Sequence, residues 1–89
     1  IKLQPLAVYA VLSEVPGLKR FQLVQKERNV LELRMLAQDP KEVFGKAEEV
    51  LQSYFRDNGV HAVIYAGKVL PQVHPESGKF KHIVALGRE

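Results

Sequence analysis

Lys79 is the residue in this sequence best suited to chemistry, because it follows Gly78 and precedes Phe80 within a long polar connection. Gly78 has no Cβ, so the backbone beside Lys79 can approach another surface closely. A lysine ammonium is a compact positive charge on a flexible stem, which suits a phosphate or a carboxylate. Lys81 lies close by and adds to the local positive charge. These residues predict contact with an anion, although a solvated basic turn would have the same composition.

The connection that carries Lys79 runs from Gly67 to His82 and separates two apolar runs, Val60–Ala66 and Ile83–Leu86. Both runs are typical of strands. A loop of this length exceeds what joining two strands requires, and such loops are usually functional or disordered. We therefore expect a mobile, functional loop between the last two strands, and Val69-Leu70 could add a small pairing within it.

Several other kinds of site are excluded by the residues around the loop. A phosphate-binding P-loop fails because Phe80 stands where Ser or Thr would bind magnesium, and Val73 stands where the first glycine belongs. Ser77 has no visible base, so nucleophilic catalysis has no support. The histidines lack the spacing of metal ligands, so we expect no metal site; they are His61, His74 and His82.

Composition and charge indicate a single globular domain that spans residues 1–89. The chain is 46% hydrophobic and 26% charged, and it has no cysteine. No apolar run approaches the roughly 18 residues of a membrane span. The net charge of +3 is interrupted by an acidic central segment, which argues weakly for nucleic acid. Because the chain begins at Ile1 and not at Met, we expect a fragment or a processed protein.

The first half of the chain predicts a strand, a helix and a hairpin. Ile1–Leu3 alternates and could form a short strand. A helix starts at Pro5, which is acceptable in a first turn, and ends before Gly17. Arg20–Lys26 and Val30–Leu36 alternate and are joined by three polar residues, which is typical of a β-hairpin.

The segment Asp39–Asp57 has the clearest helical pattern. Asp39 is a good N-cap, Pro40 follows it, and Glu42 completes a capping box. Asn58-Gly59 provides a left-handed end. Apolar residues recur at three- and four-residue spacing and predict one broad core-facing stripe: Val43, Phe44, Ala47, Val50, Leu51, Tyr54 and Phe55.

The resulting order is β-α-β-β-α-β, which is typical of an α+β, ferredoxin-like split β-α-β fold. In that fold an antiparallel sheet carries both helices on one face. The other face would be open to solvent or to a partner. An RNA-recognition sheet shares this topology, but the chain lacks the glycine and second aromatic of its motif, so we expect no nucleic acid.

The order of residues around Lys79 resembles the final core motif of adenylate-forming enzymes. Leu70-Pro71, a spacer, Gly78-Lys79-Phe80-Lys81 and a strand closing on Arg88 carry the likeness. Residues near the start of the chain restrict this resemblance to one branch of the enzymes. Leu3-Gln4-Pro5, Val15-Pro16-Gly17-Leu18 and Phe21-Gln22-Leu23-Val24-Gln25 resemble the C-terminal domain of the phenylacetate–coenzyme A ligase branch. His82 departs from the pattern, since an arginine is common three residues after the lysine.

The resemblance implies a mobile C-terminal lid domain that supplies a catalytic lysine, Lys79. Gly78, Phe80 and Lys81 would face the substrate or nucleotide. The intact enzyme would use ATP, magnesium and coenzyme A with a carboxylic acid, and the partner would be a large N-terminal adenylate-binding domain of the same protein. The isolated 89 residues would bind none of these cofactors and catalyse nothing. A cytoplasmic location without membrane contact is implied as well.

A stand-alone ferredoxin-like module for small-molecule sensing or protein interaction is the alternative. The sequence preceding Ile1 in the intact protein would discriminate between the two, because a lid requires several hundred residues with an adenylate-binding motif.

Overall fold

The computed structural model describes residues 2–89, which form two helices and four strands. The elements in chain order are α1 (Pro5–Ser13), β1 (Leu18–Glu27), β2 (Val30–Ala37), α2 (Pro40–Asp57), β3 (Val63–Ala66) and β4 (Ile83–Val84). The strands form one sheet in the order β3-β2-β1-β4. The predicted α+β class is confirmed, and the arrangement is compatible with a ferredoxin-like split β-α-β fold.

The sheet is mixed, whereas an antiparallel sheet was predicted. Only the central hairpin of β1 and β2 is antiparallel, with Leu23 opposite Leu33. The pairs β2–β3 and β1–β4 are parallel. The reason is that α2 returns the chain to the start of β2, and strands joined by a crossover helix run parallel when they are neighbours. An additional strand between β2 and β3 could pair antiparallel with each of them. None of the described residues forms such a strand.

Strands outside the hairpin are shorter than the sequence predicted. Lys2 and Leu3 lie outside any strand, and Ile1 is outside the described residues. Leu3 is instead buried in the core. Residues 60–62 precede β3 without joining it, β4 has two residues, and Val69-Leu70 forms no strand.

Both helices pack on the same face of the sheet. Alternate residues of the hairpin, Leu23, Leu31 and Leu33, are buried beneath Leu12 of α1 and Leu51 of α2. Strand side chains alternate between faces, so these leucines share one face. The core therefore lies between this face and the two helices.

The ends of α2 follow the predicted signals. The side chain of Asp39 accepts a hydrogen bond of 3.3 Å from the Glu42 N–H, and Gly59 after the helix has a φ of 70°. Most of the predicted stripe is buried or half-buried, but Val50 is 37% exposed. Assigning Val50 to the core was wrong, because the stripe is wider than the surface it packs on. Val50 lines a groove together with Val11 of α1 and with Val15, which follows that helix.

The second face of the sheet is covered over β1 and β2, although the sequence predicted an open face. Gln22, Glu32 and Arg34 point away from the leucine core, yet all three are buried. Arg34 donates hydrogen bonds of 3.1 Å to Glu32 and to Gln22, and it also pairs with Glu89. The loop after β3 and the C-terminal residues therefore close over this face.

Neither of the two helices among residues 2–89 has the length and apolar character needed to cross a membrane.

Candidate functional site

Lys79 lies at the end of a tight turn that begins at His74. The His74 N–H donates to the Lys79 carbonyl at 2.8 Å, and the Gly78 N–H donates to the His74 carbonyl at 2.9 Å. Gly78 closes the turn with a φ of 69°, a conformation that a residue with a Cβ rarely adopts. No atom lies within 4 Å of where its Cβ would be. The turn is therefore locally ordered and open on its outer side.

Side chains within the turn satisfy its backbone. The imidazole Nδ1 of His74 accepts hydrogen bonds from the N–H groups of Glu76 and Ser77, at 3.2 and 3.3 Å. The Ser77 hydroxyl accepts one of 3.3 Å from the Lys79 N–H. His74 and Ser77 therefore shape the turn that presents Lys79, and neither residue needs a catalytic role.

The ammonium of Lys79 has no ion-pair partner among residues 2–89. It borders a small cavity of about 50 Å³ together with Lys81 and Arg88. The carboxylate at this cavity, Glu89, is already paired with Lys26 and Arg34. Hydrogen bonds from those two cations, Lys26 first, lower the pKa of Glu89. Lys79, Lys81 and Arg88 thus form a positive surface without neutralising carboxylates.

The side chain of Phe80 packs against the protein and not toward the cavity beside Lys79, and it anchors the loop. The guanidinium of Arg20 lies 4.4 Å from the centre of the Phe80 ring, a cation–π contact. His82 packs edge-on against Phe80 and Tyr9, each at 4.8 Å between ring centres, and lies 5.1 Å from Phe21. Burial, followed by the positive charge of Arg20, lowers the pKa of His82. This aromatic cluster fixes the chain directly after Lys79.

Gln22 holds the loop at two points from the sheet below. Its amide donates to the carbonyls of Gln72 and Lys81 at 2.9 and 3.0 Å. Its oxygen accepts 3.1 Å hydrogen bonds from the Gln72 N–H and from Arg34. Since Gln72 and Lys81 flank the turn, Gln22 fixes both of its ends to β1.

The structure gathers three of the four predicted site residues on one exposed surface. Gly78, Lys79 and Lys81 border the open side of the turn, whereas Phe80 is half-buried against the protein. Sequence reasoning missed the supporting roles of Arg20, Gln22 and His74. No local pattern could indicate the role of Gln22, because it lies 50 to 59 residues from the loop carbonyls it binds. The contacts of His74 are local, at two and three residues, and could have been considered from the sequence.

The arrangement can stabilise negative charge, because Lys79, Lys81 and Arg88 border the cavity. No carboxylate borders the cavity except Glu89, which is engaged by two cations. Ligand pockets usually enclose about 300–1,000 Å³, far more than this cavity offers. Within residues 2–89 no group of three His, Asp or Glu side chains is placed to hold a metal ion. The positive surface therefore suits an anion that another molecule or domain also binds.

Comparison of the chain with models of protein families, with curated proteins and with solved structures gives no match. Function is therefore inferred from the residues and their geometry.

Proposed function

We propose that this chain is the C-terminal lid domain of an ATP-dependent, AMP-forming carboxylate–coenzyme A ligase of the phenylacetate–coenzyme A ligase type. The observation that carries the proposal is Lys79, whose ammonium has no counter-ion among residues 2–89 and extends from an ordered turn. A lysine held in this way is free to contact an anion from outside the domain.

In this proposal Lys79 reaches into a large N-terminal domain of the same protein, which holds ATP, magnesium and the carboxylic acid. Its ammonium bridges the carboxylate and the α-phosphate while negative charge develops on the phosphoryl group. A cation positioned before the reaction stabilises that charge without reorganisation. Lys81 and Arg88 border the same surface and would strengthen its positive potential.

The second half-reaction would need a different orientation of this domain. Coenzyme A thiol displaces AMP from the acyl-adenylate, and the lid rotates so that the Lys79 turn no longer faces the phosphate. Such domain closures can limit turnover. Hydrophobic side chains exposed on the same loop, Leu70 and Val73, would contact the larger domain in one of the two orientations. A cytoplasmic location, where ATP and coenzyme A are available, belongs to the same proposal.

The test is Lys79→Ala in the intact enzyme, with the two half-reactions assayed separately. Acyl-adenylate formation should fall by about two to three orders of magnitude, the scale of losing one positioned transition-state donor. Thioester formation from preformed acyl-adenylate should be largely preserved. The free energy of unfolding should hardly change, because Lys79 is exposed.

Lys68→Ala and Lys81→Ala are the matched controls for loss of positive charge, and both should cost far less activity. Lys68 is exposed and does not border the cavity, whereas Lys81 borders it beside Lys79. Equal losses for the three variants, or equal losses in the two half-reactions, would replace a specific lysine by a diffuse basic surface.

A further inference from the structure

The outer edge of β3 lacks a hydrogen-bonding partner within residues 2–89. β3 is the terminal strand of the sheet on the side of β2. The Val63 N–H donates to the Asn29 carbonyl and the Gly67 N–H donates to the Leu33 carbonyl, each at 2.8 Å. Backbone groups of alternate residues in a parallel strand point to the same neighbour. The N–H and C=O groups of Ile64 and Ala66 therefore point outward from the sheet.

Residues 63–66 carry neither of the two kinds of residue that commonly protect an edge strand. Proteins block exposed edges with charged residues, proline, bulges or very short strands. Residues 63–66 contain no charge and no proline. The opposite edge of the same sheet differs, since β4 has only two residues and Lys81 and Arg88 lie close to it along the chain. β3 is longer, with four residues, although Lys68 follows it closely along the chain. Of the two edges, the β3 edge is therefore the better suited to accept a strand.

Side chains beside the open edge are apolar and exposed. Val63 is 56% exposed and Tyr65 is 41% exposed, whereas Ile64 between them is buried in the core. Val63 and Tyr65 therefore share the sheet face away from the helices. Exposed apolar side chains next to unpaired strand backbone indicate an interaction surface.

We propose that β3 pairs antiparallel with β3 of a second copy of this chain, forming a two-fold symmetric dimer with a continuous sheet. The backbone directions limit the register without fixing it. The outward groups of Ile64 and Ala66 must meet outward groups of the second copy, so Ile64 could lie opposite Ile64 or opposite Ala66. We place Ile64 opposite Ile64 across the two-fold axis, because of these two registers only this one pairs Val63 with Tyr65. In this register Val63 lies opposite Tyr65 of the second copy, and Tyr65 lies opposite Val63.

The self-complementarity of the exposed side chains favours a second copy over an unrelated strand. One of the registers that the backbone allows pairs each exposed valine with an exposed tyrosine of the other copy. Aromatic and β-branched residues opposite each other stabilise antiparallel strands. Because residues 63–66 carry no charge, pairing the strand with itself brings no like charges together.

Analytical ultracentrifugation of the 89-residue chain between micromolar and millimolar concentration tests the dimer. The mass should rise from that of one 10.1 kDa chain to that of two as concentration increases. Tyr65→Lys should raise the dissociation constant by at least about tenfold, because symmetry repeats the change in two cross-strand pairs. Leu70→Lys, at a residue that is also exposed, is the matched control and should leave the dissociation constant unchanged. Circular dichroism verifies that both variants remain folded.

Cysteine cross-linking tests the register, since the chain has no cysteine of its own. An equimolar mixture of Val63→Cys and Tyr65→Cys chains should oxidise to a covalent dimer, because directly opposite residues are within disulfide range. Either variant alone should cross-link much more slowly. A monomer at every concentration, a dimer that Tyr65→Lys leaves intact, or equal cross-linking by the single variants would each overturn the proposal.

Discussion

At the scale of single residues, His82 occupies the position where the resemblance to adenylate-forming enzymes would place an arginine. Its ring is enclosed by Phe80, Tyr9 and Phe21, and Arg20 lies close to the same cluster. Burial is the main reason that its pKa is lowered, with the charge of Arg20 adding to the effect. His82 is therefore a neutral packing residue at neutral pH, and the cluster would weaken if it were protonated.

The stability of the wild-type chain should consequently fall on mild acidification. The unfolded chain binds a proton at His82 near the ordinary histidine pKa of about 6.5, whereas the folded chain binds it only at lower pH. The contribution of neutral His82 is complete above that pH and is lost as pH falls through it toward the folded-state pKa. Urea unfolding of the wild type and of His82→Phe between about pH 8 and about pH 5 measures this. The difference in free energy of unfolding between the wild type and His82→Phe should change across the pH range in which histidine titrates. A difference that stays constant with pH would contradict the neutral packing role of His82.

Sequence patterns could point to some residues of the candidate site and not to others. Lys79 and Gly78 could be named as candidates because a glycine-flanked lysine in a long loop is a local pattern. Gln22 and Arg34 were not, since polar residues that alternate with leucines normally indicate a solvent-facing side of a strand. Their burial depends on a loop that crosses the sheet, and no local pattern encodes that crossing.

At the scale of elements, α2 is the best-predicted part of the molecule because caps and periodicity agree along its length. Phe55 is 4% exposed and belongs to the core. Phe55→Ala should lower the free energy of unfolding by about 3–5 kcal/mol, because truncation leaves a cavity. Val50→Ala, on the same helix but partly exposed, should cost much less. Thermal or urea unfolding distinguishes them, and similar small losses for both would show that α2 packs through a different face.

The strands were predicted less completely because their pairing depends on distant parts of the chain. The hairpin was correct, since its partners are adjacent in sequence and alternate clearly. The directions and lengths of β3 and β4 depend on which strand each meets after a crossover. Hydrophobic runs at Val60–Ala66 and Ile83–Leu86 indicated strands but could not indicate their neighbours.

The loop between β3 and β4 should exchange amide hydrogens faster than any other internal segment, except at its hydrogen-bonded amides. Most of its backbone has no regular pairing, which predicts low protection. The His74 and Gly78 N–H groups donate within the turn, and the Gln72 N–H donates to Gln22, so these amides should be protected. Gln22→Ala should bring Gln72 to the exchange rate of the surrounding loop while α2 keeps its protection. Slow exchange throughout Gly67–Lys81, equal to that in β3, would show that the loop is a rigid part of the core.

At the scale of the whole molecule, the domain combines a small rigid core with a positive surface that it does not neutralise itself. Both helices and the hairpin bury the apolar residues, while the loop and the C-terminal residues cover the polar face. Lys79, Lys81 and Arg88 therefore lie at the periphery of the domain. The core supports the backbone that carries Lys79, whereas the ammonium group lies outside the core. A lid requires this combination, because it must be rigid internally and complete its site only in contact with another domain.

The isolated domain should therefore bind ATP only weakly, and this separates the lid from a stand-alone sensing module. The cavity of about 50 Å³ beside Lys79 cannot enclose a nucleotide, so we expect the attraction there to be limited to exposed charges. Titration of the isotope-labelled domain with ATP, followed by NMR, should give small shifts around Lys79, Lys81 and Arg88 that do not saturate at millimolar ligand. Added salt should abolish them, since interactions between exposed charges are screened. Inorganic triphosphate is the matched control and should cause the same shifts, because only phosphate charge is recognised. Saturable micromolar binding of ATP that triphosphate does not reproduce would mean that the domain recognises the nucleoside by itself, and a sensing module would then replace the lid.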